Sequence, residues 1–205
     1  MLDDDADELP AATLCHLVDG APGNGQPGGD DGAPGNGQPG GDDGATGNGQ
    51  PGDDDEDGDE RPSHDETLLI RKKRGVGSGQ WVGPGGKVEP GETPRECVVR
   101  EVREEVGIDV LDPEKAGVFV YRSDDWDAVV HVFRATEYDG TPEETEEADP
   151  AWFPVDNLPF SEMWQTDREW LPVVLDGGTF RGRFVYSDGE PEDVTVETGV
   201  SFPSA

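Results

Sequence analysis

Glu101, Glu104 and Glu105 lie at offsets of three and four, with Arg100 beside them. On a helix such offsets set side chains along one face. Carboxylates crowded within one turn repel each other, which raises their pKa values or calls for a cation. Clustered carboxylate oxygens suit a hard ion such as Mg²⁺, which keeps several waters and bridges to substrate phosphates. Just upstream, Gly83, Gly85, Gly86 and Gly91 let the backbone come close to a ligand. A solvated acidic face is the competing reading. It accounts for the glutamates but not for Gly86, Arg100 and Gly107 at fixed offsets.

The element that must position these acids is a helix. Thr93 can cap it, Pro94 suits its first position and Glu96 completes a capping box. Gly107 supplies the stop, and Val98, Val102 and Val106 give a stripe to bury. Around it, residues 11–18, 66–73, 117–122 and 128–133 read as strands. A short extended piece over 151–155 leads to a helix over 160–175, ended by Gly177-Gly178. Residues 179–186 and 194–201 read as a closing hairpin across Asp188-Gly189. This order predicts an α/β (α+β) layered domain with a mixed sheet between helices. His16 and His131 read as packed strand residues, and Cys15 and Cys97 as buried thiols rather than a disulfide framework.

The formal charge is −33, from 48 acids and 15 bases. Residues 1–65 hold 18 of the acids and one base, Arg61, so the remainder is acidic in its own right. Such a surface disfavours nucleic-acid phosphates and anionic membranes as partners. It fits a protein that stays hydrated in molar salt, and a halophilic source is expected. With no apolar leader and no long apolar run, the expected location is cytoplasmic. Residues 20–31 repeat identically at 32–43 and imperfectly at 44–55, without any aliphatic residue larger than Ala. That block cannot bury a core and is expected to be disordered. Strand patterns on both sides make it an oversized loop within one hairpin, since closure costs grow only logarithmically with length. His64, at its end, receives no role.

The stretch from Gly86 to Ile108 resembles the Nudix box, G-x5-E-x7-R-E-U-x-E-E-x-G-U with U aliphatic. Gly86, Glu92, Arg100, Glu101, Val102, Glu104, Glu105, Gly107 and Ile108 fill every fixed position. The resemblance implies the Nudix α/β/α sandwich and a loop–helix–loop that binds Mg²⁺ or Mn²⁺ and hydrolyses a pyrophosphate linkage. It divides the chain into an acidic tail (1–10) and a Nudix domain (11–205) interrupted by the insertion 20–65.

From about Leu69 to Val185 the chain is similar to MutT-type enzymes acting on oxidised purine nucleoside triphosphates. RKKRGVGSGQW, GPGGKVEPGET, AWFPVDNLPF and MWQTDREWLP carry the likeness. By that resemblance Glu101, Glu104 and Glu105 bind metal, with Gly85, Gly86 and Glu147 beside it. Glu104 or Glu105 would be the general base, and Arg100 would orient a carboxylate. Lys72 matches a phosphate-contacting lysine, Trp164 an aromatic stacked on the purine, and Asp167 an acid that reads the base edge. Thr13, Val82, Gly86 and Lys87 match further substrate-side positions. At two places the chain departs from the pattern: the base-reading asparagine falls on Val82, and the first of two paired acids falls on Thr166. Polar groups give large selectivity, so triphosphate hydrolysis is implied more firmly than a preference for oxidised dGTP. The alternatives are an ADP-ribose or dinucleoside polyphosphate pyrophosphatase, and a non-catalytic nucleotide-binding module. The substrate in the first two readings is a small nucleotide.

From the charge, the protein should resist unfolding better in molar KCl than in dilute buffer. Thermal melts across a KCl series check this, and greater stability at low salt would count against a halophilic origin.

Overall fold

A computed structural model describes residues 6–19 and 66–203. The repeat block and His64 lie outside the described residues. The helix α1 (Pro94–Val106) starts as its sequence dictates. Thr93 is extended (φ −82°, ψ 155°), its side chain accepts from the Glu96 N–H, and Glu96 accepts in return from the Thr93 N–H at 2.8 Å. Gly107 closes the helix in the left-handed region at φ 76°, where a side chain would be strained. Val98, Val102 and Val106 are fully buried.

The strands are β1 (Ala11–Asp19), β2 (Glu66–Lys72), β3 (Trp81–Val82), β4 (Asp109–Leu111) and β5 (Glu114–Arg122). Then follow β6 (Ala128–Ala135), β7 (Glu137–Asp139), β8 (Ala148–Pro154), β9 (Phe180–Ser187) and β10 (Glu190–Thr198), with α2 (Asp167–Leu175) before β9. Eight strands form one sheet in the order β10-β9-β5-β6-β1-β2-β3, with β8 paired to β2. β1–β6 and β5–β9 are parallel and the other pairs antiparallel, so the sheet is mixed as expected. β4 and β7 form a separate ladder. The strands that flank the repeat block pair with each other, Val18 against Thr67 and Asp19 against Glu66.

Alternation along β1 dresses both faces of the sheet. Ala12 and Leu14 pack with Trp170, Leu171 and Val174 of α2. Cys15 and Leu17 pack with the α1 valines. Both cysteines are buried and free. Ala6–Glu8 forms a short 3-10 turn whose Ala6 is buried beside Val118, Val120 and Val129. No helix among the described residues is long and apolar enough to cross a membrane.

Three expectations need correction. The predicted helix over 160–175 is split. A 3-10 turn at Phe160–Glu162 ends at Met163, which is extended (φ −115°, ψ 175°), and α2 begins at Asp167. The break lets Trp164 pack edge-on against Tyr121 and Tyr186. β10 starts at Glu190 rather than 194, because Asp188 (φ 51°) and Gly189 (φ 80°) make a two-residue turn that resumes pairing at once. His131 is only partly buried and shares a 3.0 Å hydrogen bond with Lys115, so it is not a core residue.

Removing the α1 cap with Thr93→Ala is expected to cost about 1 kcal/mol. Urea unfolding of the variant checks this, and an unchanged midpoint would strip the capping box of its role.

Candidate functional site

A glycine-rich loop runs along the first half of β1. The Thr13 N–H donates to the Gly86 carbonyl at 2.8 Å, the Cys15 N–H to that of Pro84 at 2.8 Å, and the Val88 N–H to that of Ala11 at 2.9 Å. This proximity needs glycine. A Cβ on Gly85 (φ +154°) would sit 2.1 Å from the Thr13 carbonyl oxygen, and one on Gly86 would sit 2.4 Å from the Glu101 carboxyl. The second glycine therefore leaves a cradle that the Glu101 carboxylate fills.

Arg100 organises the acids around that cradle. It binds Glu92 twice, at 2.9 and 3.0 Å, Glu101 Oε1 at 2.9 Å and Glu104 Oε2 at 3.0 Å. The hydrogen bonds from Arg100 hold the Glu92 carboxyl down at about 2, and Glu92 also accepts from the Glu89 N–H. Burial raises Glu101, against the pull of Arg100. Glu105 is 3% exposed and accepts from the Gly85 N–H at 2.8 Å. Burial pushes its carboxyl up to about 7, opposed by that N–H and by Lys72, whose Nζ is 3.9 Å away. The charges of Glu101 and Glu147 push Glu105 the same way as burial.

A cavity of about 490 Å³ opens beside this cluster, a size that suits a small-molecule ligand. Its polar wall holds Lys72, Lys87, Glu101, Glu105 and Glu147, with the backbone of Gly85 and Gly86. Trp164, Tyr121, Trp126 and Phe119 supply an aromatic wall, and Thr13, Val82 and Asp167 also line the space. Asp167 is 7% exposed, and burial pushes its carboxyl up to about 7. Thr166 shares a 3.0 Å hydrogen bond with the Tyr186 hydroxyl.

The cavity thus gathers Lys72, Lys87, Glu101, Glu105, Glu147, Trp164, Asp167, Thr13 and Val82. Arg100 and Glu104 are not in its wall; the Glu104 side chain is 62% exposed and turned to Arg100. Among the described residues no three His, Cys, Asp or Glu side chains form a group able to hold a metal ion as they stand. The donor chemistry nevertheless fits a hard divalent ion. Three carboxylates share one wall, one of them raised by burial and further by its neighbours' charge, beside the glycine backbone of residues 85 and 86. Sequence reasoning missed Tyr121, Trp126 and His16 in the wall. For His16 the alternation of β1 was an available signal, since Ala12 and Leu14 face the same way.

The fold and this site define a class. The chain belongs to the NUDIX family, whose NUDIX domain profile matches residues 57–174, more than half of its length. A protein of Danio rerio named oxidized purine nucleoside triphosphate hydrolase is 42% identical over 134 residues, covering 63% of this chain and 83% of that protein. One of the same name from Mus musculus is 42% identical over 125 residues, covering 59% and 79%. Among solved structures, the MutT protein from Bacillus halodurans superposes with a TM-score of 0.64 at 26% identity, covering 92% of this chain and 98% of that one. The mixed sheet with its two helices is the α+β Nudix-type fold.

Asp167 binds its proton more tightly in the folded chain than in the unfolded one. Its contribution to stability is full below the ordinary carboxyl value of 3.8 and is lost as pH rises to about 7. Asp167→Asn is therefore expected to melt higher than the parent at pH 8 and to match it near pH 3.5. Melting curves at the two pH values check this; a lower Tm for the variant at pH 8 would contradict the assignment.

Proposed function

We propose that the protein hydrolyses purine nucleoside triphosphates to the monophosphate and pyrophosphate, using Mg²⁺ or Mn²⁺. One observation carries this reading: a single cavity joins a wall of carboxylates and lysines to an aromatic wall with a buried acid. The first suits a polyphosphate and the second a base. The names of the Danio rerio and Mus musculus relatives support the same substrate class.

Glu101, Glu104 and Glu105 would hold the ion, with Glu147 and the backbone of Gly85 and Gly86 beside it. Bound there, it would neutralise phosphate charge and acidify the attacking water. Lys72 and Lys87 meet the phosphate oxygens, and Lys72 is already drawn toward Glu105. Arg100 positions Glu101 and Glu104 from outside the cavity. Glu104 or Glu105 takes the proton from water. Trp164 stacks on the base, a contact worth about 1–3 kcal/mol, and Asp167 reads its edge. Val82 offers no side-chain hydrogen bond and the Thr166 hydroxyl is engaged with Tyr186. Selectivity is therefore broad across purine triphosphates, with oxidised dGTP one member of the class. We further assign one Nudix domain over 11–205, interrupted by 20–65, acting in the cytoplasm of a salt-accumulating cell.

A nucleotide panel assayed for phosphate release with and without added pyrophosphatase tests the reaction. Purine triphosphates should yield phosphate only with pyrophosphatase, and a chelator should abolish the yield. Release without pyrophosphatase, or turnover confined to ADP-ribose, would overturn the proposal. Glu104→Gln is expected to lower kcat by orders of magnitude with the Tm retained; unchanged turnover at saturating Mg²⁺ would remove Glu104 from the ion's ligands. Trp164→Ala should raise KM for purine triphosphates more than for pyrophosphate-linked sugars, and an equal effect on both would argue against stacking.

A further inference from the structure

His16 is 1% exposed, lines the cavity, and has neither ring nitrogen hydrogen-bonded. A buried polar group without a partner costs stability, so an apolar residue would serve better here if the role were packing. The ring is nevertheless held firmly. It meets the Trp170 ring edge-on, with centroids 5.5 Å apart. On another side it crowds Gly83, where a Cβ would come within 2.9 Å of Cε1 and 3.2 Å of Nε2. Gly83 directly follows Val82, the position that carries no hydrogen-bonding side chain. The strand β1 thus brings a polar ring to the same part of the cavity wall from which residue 82 withholds one.

We propose that His16 is a specificity-determining residue that hydrogen-bonds the polar edge of the bound purine, together with Asp167. This inference rests on the purine triphosphate reading above and deepens it. Burial holds the imidazole neutral, with its pKa down at about 4. A neutral imidazole presents one N–H donor and one bare nitrogen acceptor. It can therefore donate to a keto oxygen or accept from an amino group by choice of tautomer. Asp167 adds an acceptor when ionised and a donor when protonated. Between them the two side chains meet the oxo and the amino purines, and leave an unsubstituted purine with fewer bonds. Met163 and Trp164, in the same wall, hold no competing charge.

The test compares kcat/KM for GTP, ATP and the triphosphate of unsubstituted purine riboside, in the parent, His16→Leu and His16→Gln. The parent should favour GTP or ATP over the unsubstituted purine. His16→Leu should cut that ratio about fivefold to tenfold, the worth of one hydrogen bond, with little change in kcat for the unsubstituted purine. His16→Gln should restore much of the ratio. Independently, the ¹⁵N resonances of the His16 ring, assigned by their loss in His16→Leu or, should that variant not fold, in His16→Gln, should move when α,β-methylene GTP binds the parent with Mg²⁺. An unchanged ratio or unmoved ring resonances, in a protein that still hydrolyses GTP, would make His16 a sealed core residue and leave the proposed function intact. If the parent turns over ADP-ribose and no triphosphate, the triphosphate reading falls. Ring shifts on adding ADP-ribose would then still support a base contact, and their absence would overturn it.

Discussion

The site hangs from the edge of β1. Three main-chain hydrogen bonds fasten residues 84–88 to Ala11, Thr13 and Cys15, and they form only because Gly85 has no Cβ to strike the Thr13 carbonyl. This seam fixes the Gly85 N–H where it can reach Glu105, and the Gly86 cradle where Glu101 fills it. The same strand then serves two chemistries. One face holds the Thr13 hydroxyl, 3.3 Å from Cys97 of α1. The other carries Ala12, Leu14 and His16 toward α2 and the aromatic wall. A shift of one residue in the pairing would exchange the two faces, so the parallel register of β1 on β6 is as much a part of the site as its glutamates.

Like charges gathered in one place need a counterweight, and Arg100 supplies it. Its side chain is 28% exposed and reaches three glutamates on two elements. A planar guanidinium is suited to this, because its donors are fixed in one fork. The surface pairs Lys73–Glu144, Arg95–Asp112 and Arg183–Asp193 are different in kind. Exposed pairs of that sort contribute about 0–1 kcal/mol and weaken with salt. In a protein of charge −33 they cannot carry the fold. The buried aliphatic and aromatic clusters do, with Trp170, Phe180 and Phe184 fully enclosed around Phe119.

How much of this was legible in the sequence follows from distance along the chain. The helix α1, its cap and its stop are set by neighbours within a few residues and stand where their spacing put them, while Glu104, expected beside Glu101 and Glu105, turns to Arg100 outside the cavity those two line. That Arg100 would orient a carboxylate was implied by the resemblance; its pairing with Glu92 was not read, although a loop and the helix it feeds are contiguous. Of the aromatic wall only Trp164 was named beforehand, and that through the resemblance. Tyr121 and Trp126 come from β5 and the turn after it, and no local pattern unites them with the break before α2. The break itself was hidden because residues 160–175 have the periodicity of one helix. Packing of Trp164 against Tyr121 and Tyr186 outweighs that local preference. The β4–β7 ladder was invisible for a similar reason, since three-residue strands carry too little pattern to register.

A polyanionic substrate approaching so acidic a surface meets long-range repulsion. The placement of the lysines bears on how that is overcome. The chain has only four, and Lys72 and Lys87 both line the cavity. Lys73 is bound to Glu144 and Lys115 to His131. Compact ammonium charge is therefore present in the wall where phosphates would dwell, that of Lys72 lying 3.9 Å from Glu105. Salt removes the rest of the obstacle, since about 1 M electrolyte shortens the reach of surface charge to about 3 Å. At high ionic strength the outer acids would therefore oppose an anionic ligand less, while Lys72 and Lys87, set among the carboxylates of the wall, would still meet it in contact.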